Sequence, residues 1–409
     1  MNNSEPSNLP GRHRVGAAWQ MIFQVSTIIG IIALGALLYN IITQAFGYVA
    51  IEYKTDPNTL SVDGVPLEDQ NADQLTALLK ENIAKGTYTR LEKEKPFAER
   101  SQEEIYDLVI ERVLEPEIMK TWTLTESLLH KDVIIAEKEA EFPQAFLVFR
   151  SWLTAEFLNQ PQSSIVLRAG VRTAILGSLW TILITILIAF PVGVAAAIYL
   201  EEYAHDNLIN RVIRTNINNL AGVPSIIYGI LGLAIFVRAL EKITSGAVLG
   251  VVDPTTANGR TVLSAGLTLA LLILPVIIIN GQEAIRSVPN SLRQASFGLG
   301  ATRWQTIWYH VLPNALAGIL TGTILAVSRA IGETAPLIVV GASTFITFDP
   351  SGPFSKFTSL PVQIYQWTAR PQAEFRNIAA AAILVLLILL LSLNASAVLL
   401  RNRFSRRLS

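Results

Sequence analysis

Six long apolar runs are spaced along the chain, at roughly 19–46, 174–200, 222–240, 262–280, 315–342 and 378–400, with polar and charged segments between them. The hydrocarbon core of a bilayer takes about 20 apolar residues in helical form. Six such runs cannot all be buried in one soluble core. The pattern therefore predicts an all-α integral membrane protein with six transmembrane helices. The first run is too long for the apolar part of a signal peptide and is followed by no small-residue cleavage site, so it reads as an uncleaved anchor.

The polar stretch between the first two runs, 47–169, reads as mostly helical. Asn71 precedes Leu75, Leu78, Leu79 and Ile83, an apolar stripe at helical spacing that ends near Gly86. Ser101 and Glu104 form a capping box ahead of Ile105, Leu108, Val109 and Val113, and Pro116 stops that helix. A third helix is predicted from Thr125 towards Glu139. The block serves either as a solvated helical cap or as a docking surface for a partner. Its carboxylates pair with no nucleophile or metal set, so no catalysis is assigned to it.

Charge refines the picture. Only 16% of the 409 residues are charged, below the ordinary soluble range, and the formal net charge is zero. We count 22 acids and 13 bases in 47–169, a net of −9, against +9 in the remainder. This asymmetry excludes a uniformly basic nucleic-acid binder. There is no cysteine, which excludes disulfides and thiol chemistry, and His13, His130, His205 and His310 lack metal-ligand spacing. Arginines cluster at both ends (Arg12, Arg14, Arg401, Arg403, Arg406, Arg407) and between the fourth and fifth runs (Arg286, Arg293, Arg303). Basic segments stay in the cytoplasm, so both termini are predicted there. The link 201–221 is ambivalent, with two arginines and three acids. The expected division is a cytoplasmic tail (1–17), a first transmembrane helix (18–46), an acidic helical extracytoplasmic insertion (47–169), a five-span core (170–403) and a basic tail (404–409).

Within the core, 282–313 reads as a cytoplasmic hairpin. Ser291 with Gln294, and Thr302 with Gln305, are two S/T-x-x-Q helix starts. Gly298 and Gly300 permit a sharp turn between them, and Pro313 is expected to end the second helix. Trp304, Ile307, Trp308 and Val311 form an apolar stripe. On physical grounds alone the hairpin could lie in lipid headgroups. It also resembles the coupling loop of ATP-driven importer permeases, whose pattern is Glu-Ala-Ala, three residues, Gly, nine residues, Ile-x-Leu-Pro. The match is at Ala295, Gly300, Leu312 and Pro313, with departures at Gln294 for Glu, Ser296 for Ala and His310 for Ile. The resemblance implies that Gln294, Ala295, Gly300, Leu312 and Pro313 seat the hairpin on a cytoplasmic ATPase subunit.

The fifth run contains Arg329 and Glu333, four apart and able to pair on one helix face. Counted from Ala315, Arg329 stands about 21 Å along the helix, within the hydrocarbon layer. A charge there costs at least about 2.5–3.5 kcal/mol, so it is expected to face protein or water. Gly332 and Pro336 are expected to loosen the helix and free backbone N–H groups towards an anion. The pair reads either as a structural brace or as an element of a substrate pathway, with arginine suited to an oxyanion. The run Arg329-Ala-Ile-Gly-Glu-Thr-Ala-Pro-Leu337 resembles the permease subunits of phosphate importers, of the PstA type. So do 191–203, 222–229 and 360–367, and the resemblance covers about 174–403. It departs in two places: no arginine follows Pro275 shortly, and the 47–169 insertion is larger than usual.

The resemblance implies a transmembrane permease subunit of an ATP-driven (ABC) inorganic phosphate importer in a bacterial inner membrane. Arg329, Glu333 and Thr334 would line the substrate pathway. A homologous permease, two ATPase subunits and an extracytoplasmic phosphate-binding protein would be its partners. The chain lacks a Gly-x4-Gly-Lys-Ser/Thr phosphate loop, so ATP is expected on the partner ATPase and no cofactor on this subunit, which is not itself an enzyme. The competing readings are a permease for sulfate or molybdate, a stand-alone secondary transporter or channel, and a membrane-anchored sensor.

Overall fold

The computed structural model describes residues 9–61, 65–251 and 259–405. It divides into two compact units, one up to Trp152 and one from Leu153 onward. The fold is mainly helical, as the periodicity predicts, with one addition in the first unit.

The first unit opens with α1 (Leu9–Ala45), whose most apolar stretch is covered by no protein. Arg12 and Arg14 belong to this helix. Strand β1 (Phe46–Tyr53) follows without a linker and pairs antiparallel with β2 (Pro116–Thr121) and β3 (Phe146–Ser151), in the order β2-β1-β3. This sheet corrects the helical reading of the block. Its central strand is rich in aromatic and β-branched residues, alternates only partly, and is paired along both edges.

Helices α2 (Ala72–Asn82), α3 (Lys85–Glu94) and α4 (Gln102–Val109) complete one core. Asn71 and Ser101 make the full reciprocal capping boxes with Gln74 and Glu104. Leu75 and Leu79 of α2 bury against Ile105 and Val109 of α4. Each such side chain contributes roughly 1.5–3 kcal/mol relative to exposure. Gly86 does not end the first of these helices: it lies inside α3, and α2 already stops at Ile83 in extended backbone. The helix predicted from Thr125 is two helices, α5 (Leu124–Leu129) and α6 (Lys131–Glu141), broken at His130 (φ −129°, ψ 34°).

The second unit begins with the short α7 (Ala155–Asn159) and α8 (Arg172–Ile198), which a π-helical turn prolongs to Tyr203. Residues 153–169 fold with this unit rather than with the insertion: the Gln162 amide donates to the Thr344 carbonyl, and Ile346 N–H donates back to Gln162. Helices α9 (Leu208–Ala221) and α10 (Ser225–Gly232, continued in π form to Ala239) are bent by 106° about Gly222–Pro224. The third apolar run is thus the second limb of a broken helix. Pro224 (ψ 136°) takes the chain out of helical conformation there. After α11 (Glu241–Thr244) come α12 (Val262–Arg286), α13 (Asn290–Gly298), α14 (Arg303–Thr306), α15 (Leu312–Gly332), α16 (Ala335–Val340), α17 (Leu360–Thr368) and α18 (Glu374–Ser405).

Among the described residues, five helices are long and apolar enough to cross a membrane, or six if the bent pair forms one span. The centre is α12, most of whose apolar stretch is buried. Its Leu269, Ile273 and Ile277 share one cluster with Ile184 of α8 and with Ala326 and Ala330 of α15. The fifth run does not continue to 342 as one helix, because α15 stops at Gly332. Arg406 and Arg407 of the expected basic tail lie outside the described residues.

Candidate functional site

Two clusters of the second unit carry the chemistry singled out in the sequence. The first is the hairpin 282–313. Its second helix starts as predicted: Thr302 and Gln305 make the reciprocal box. Its first helix does not use Ser291. Pro289 stands at the N-cap and Gln294 is an exposed residue within α13. Gly298 is the last helical residue, and the turn falls on Gly300 at φ +83°. Ser296, where the family pattern has Ala, is buried with its hydroxyl 2.9 Å from that of Thr306, which closes the hairpin on itself.

Pro313 does not end the second helix. A π-helical turn over Ile307–Val311 precedes it, and α15 runs on through the proline. The wider turn shifts the hydrogen-bond register by one residue just where proline has no N–H to donate. The predicted apolar stripe divides in two. Ile307 and Val311 are buried, whereas Trp304 and Trp308 are exposed and stacked with centroids 5.5 Å apart. With Gln294, Ala295, Leu299 and Gly300 they form an exposed end of the hairpin.

The sequence reading missed what holds this hairpin in place. Three consecutive residues at the end of the α8 turn each take one of its arginines. Glu201 receives a two-point hydrogen bond from Arg286 at 2.9 and 3.0 Å. Glu202 receives Nε and Nη2 of Arg293 at 3.1 and 2.8 Å. The ring of Tyr203 lies under Arg303, 5.8 Å from the guanidinium carbon. The Arg293–Glu202 pair is nearly enclosed, its side chains 14% and 11% exposed. Arg293 also donates to the carbonyls of Ile285 and Val288. The signal was available as two adjacent acids in a link otherwise expected to be basic.

The second cluster lies at the end of α15. Arg329 Nε is 3.3 Å from Glu333 Oε1. Glu333 is not in the helix: at φ −74°, ψ 122° it is the first residue past it. The expected loosening is thus a full break. The ring of Pro336 would collide with the carbonyl of Gly332, four residues earlier, in any continuous helix. The Arg329 side chain is 46% exposed and that of Glu333 16%. A Cβ on Gly332, next to Glu333 in the chain, would meet nothing within 4 Å. Thr334 is half-buried in the break.

Neighbouring helices fix this break. A Cβ on Gly229 of α10 would stand 2.6 Å from Pro336 Cα, so only glycine lets α10 approach α16 this closely. Ser328, beside Arg329, has its hydroxyl 2.6 Å from Asn394 Oδ1 of α18 and 2.7 Å from the Ile324 carbonyl. Asn394 was not singled out in the sequence, although a polar residue inside an apolar run is itself a signal of a helix–helix contact. Leu312 and Pro313 belong structurally to α15, and the two clusters are thereby the two ends of one helical rod, Arg303–Gly332.

A family model described as the binding-protein-dependent transport system inner membrane component matches residues 189–409. The probable ABC transporter permease protein YqgI of Bacillus subtilis is 32% identical over 259 residues, covering 60% of this chain and 83% of that one. The phosphate transport system permease protein PstA of Pasteurella multocida is 32% identical over 231 residues, covering 56% and 75%. PstA 1 of Mycobacterium tuberculosis (strain CDC 1551 / Oshkosh) is 35% identical over 240 residues, covering 58% and 72%. The chain therefore belongs to the family of binding-protein-dependent transport system inner-membrane components, as a multi-pass ABC importer permease subunit similar to the PstA type.

Proposed function

We propose that this subunit forms half of the translocation pathway of an ATP-driven importer of inorganic phosphate, with Arg329 on the pathway. The observation that carries the reading is the half-exposed guanidinium of Arg329, paired with Glu333 at the break between α15 and α16. An arginine placed in a span and left unburied by its own chain calls for a partner of opposite charge or for water. Its planar fork suits a tetrahedral oxyanion, and Glu333 can hold it while no anion is present. The PstA-type relatives favour phosphate over other oxyanions.

In this reading a homologous permease covers the exposed side of α15. An extracytoplasmic binding protein delivers phosphate, and ATPase subunits receive the exposed end of the hairpin, where Gln294, Ala295, Gly300, Trp304 and Trp308 are presented. Both termini lie in the cytoplasm of a bacterial cell. Because the hairpin and the Arg329 break are the two ends of one rod, a displacement of the first is transmitted to the second without a flexible joint.

The test is uptake of radiolabelled phosphate, with sulfate as control, in phosphate-starved cells that lack this gene and other phosphate transporters. Loss of phosphate uptake alone, restored by wild type and not by Arg329→Gln, is the expected result. Loss of sulfate or molybdate uptake instead would move the substrate to another oxyanion. Transport by this chain without any ATPase would overturn the importer reading.

A further inference from the structure

The first unit carries an exposed apolar corner that neither the transport pathway nor the ATPase contact uses. It joins α5 to α6: Leu128 and Leu129 are 70% and 71% exposed, Val133 is exposed as well, and His130, Lys131 and Asp132 stand between them. Leucines and a valine this open on a small acidic domain need a covering phase.

The position of the corner follows from α1. Trp19 and Tyr39 are exposed aromatic residues 20 positions apart, about 30 Å along a helix, which is the thickness of the hydrocarbon core. Aromatic side chains of this kind settle at the two membrane–water interfaces. Tyr39 thus marks one interface. Its hydroxyl is hydrogen-bonded at 2.7 Å to Thr125 Oγ1 of α5. The helix α5 is held at that level.

Its rotation is fixed from the other side. Ser127 is buried, and its hydroxyl accepts Tyr48 N–H of β1 at 2.9 Å. At about 100° per residue, Ser127 points roughly 160° away from Thr125, whereas Leu128 and Leu129 fall within roughly 60° of Thr125 on either side. The two leucines therefore flank the face that α5 turns to α1, whose Leu37 and Leu38, next to Tyr39 in the chain, are exposed as well.

We propose that the corner 128–133 is a lipid-binding wedge, inserted into the boundary between headgroups and acyl chains beside α1. Leu128, Leu129 and Val133 enter the apolar side, while His130, Lys131 and Asp132 remain at the level of the headgroups. The occupant is the bilayer itself, because continuity with a helix already in lipid, the interfacial tyrosine and the locked rotation of α5 all aim the corner there. The wedge would set the sheet domain at a fixed tilt on the membrane surface.

The absence of cysteine makes the test direct. Leu129→Cys in the full chain is labelled with an environment-sensitive NBD probe and reconstituted into vesicles of phosphatidylcholine and phosphatidylglycerol. Glu139→Cys, at an exposed position elsewhere on α6, serves as the aqueous control. The wedge predicts blue-shifted emission from residue 129 and at least about twofold quenching by phosphatidylcholine carrying a nitroxide near the headgroup end of its acyl chain. Water-like emission without lipid quenching would overturn it. Blue-shifted emission that lipid nitroxides leave unquenched would overturn it equally, by assigning the corner to a protein partner. Val133→Cys repeats the measurement at a second position, so that a local effect of one label cannot decide the outcome.

Discussion

Replacing Glu202 with alanine is expected to destabilise the hairpin far more than the same change at its neighbour Glu201. Glu202 takes two hydrogen bonds from Arg293, and both side chains are almost enclosed, at 11% and 14% exposure. Removing one partner of a buried pair leaves an uncompensated charge and costs about 3–5 kcal/mol. Arg293 keeps its bonds to the carbonyls of Ile285 and Val288, so the lower end, about 3 kcal/mol, is expected. The partners of Glu201 are more open: Arg286 is 63% exposed, and Arg214, at 3.9 Å, 38%. Solvent screening then limits Glu201→Ala to about 1 kcal/mol or less. Equilibrium unfolding of the full chain in mixed detergent–SDS micelles measures both. Pairing Glu202→Leu with Arg293→Met should recover most of the loss, since apolar replacement of a buried ion pair is often neutral. Equal, small effects of Glu201→Ala and Glu202→Ala would refute the brace.

Three further outcomes follow from the geometry. Gly332→Ala should fold normally, since its Cβ meets nothing, while Gly229→Ala should cost about 1–3 kcal/mol because its Cβ lands 2.6 Å from Pro336 Cα; thermal unfolding of both variants compares them. Gly300→Pro cannot reach φ +83° and should abolish co-purification of the ATPase with the full chain, wild-type recovery being the contrary result. In the first unit, the hydrogen bond from Lys120, and then that from Trp122, hold the Glu137 carboxyl below its ordinary 4.5. Its contribution is therefore complete above about pH 4.5 and is lost as pH falls through the lower folded value; Glu137→Gln should remove that acid dependence from hydrogen exchange of 116–141.

How far the sequence could be read depended on the range of the interactions that decide each element. The capping boxes at Ser101 and Thr302 close over three residues, and both are made; Asn71, read only as preceding a helix, makes one as well. The box at Ser291 fails because other contacts outweigh it: Asn290 Oδ1 and the Val288 carbonyl both accept from Arg293, whose guanidinium is held by Glu202, and the helix starts two residues early. The same partners explain the ambivalent charge of the 201–221 link, since Glu201 and Glu202 are matched by Arg286 and Arg293 some 85–91 positions away. The sheet was hidden because β1 starts directly at the end of an apolar helix, so Phe46 read as the last residue of a span. Pro313 read as a stop because a π-helical turn leaves no periodicity signal of its own. Arg329, Glu333 and Gly332 were legible as a charged pair beside a weak point, and the break they flank is present.

The most direct test of the account places the Arg329 series in the complete importer, reconstituted in liposomes with ATP inside and binding protein outside. Wild type should accumulate labelled phosphate and leave sulfate outside. Losing a charge-assisted contact worth about 1.5–3 kcal/mol should lower phosphate transport by Arg329→Gln about tenfold or more, with Arg329→Lys in between and assembly unchanged. Transport by Arg329→Gln at the wild-type rate, in an intact complex, would contradict the central claim that this guanidinium lies on the phosphate path.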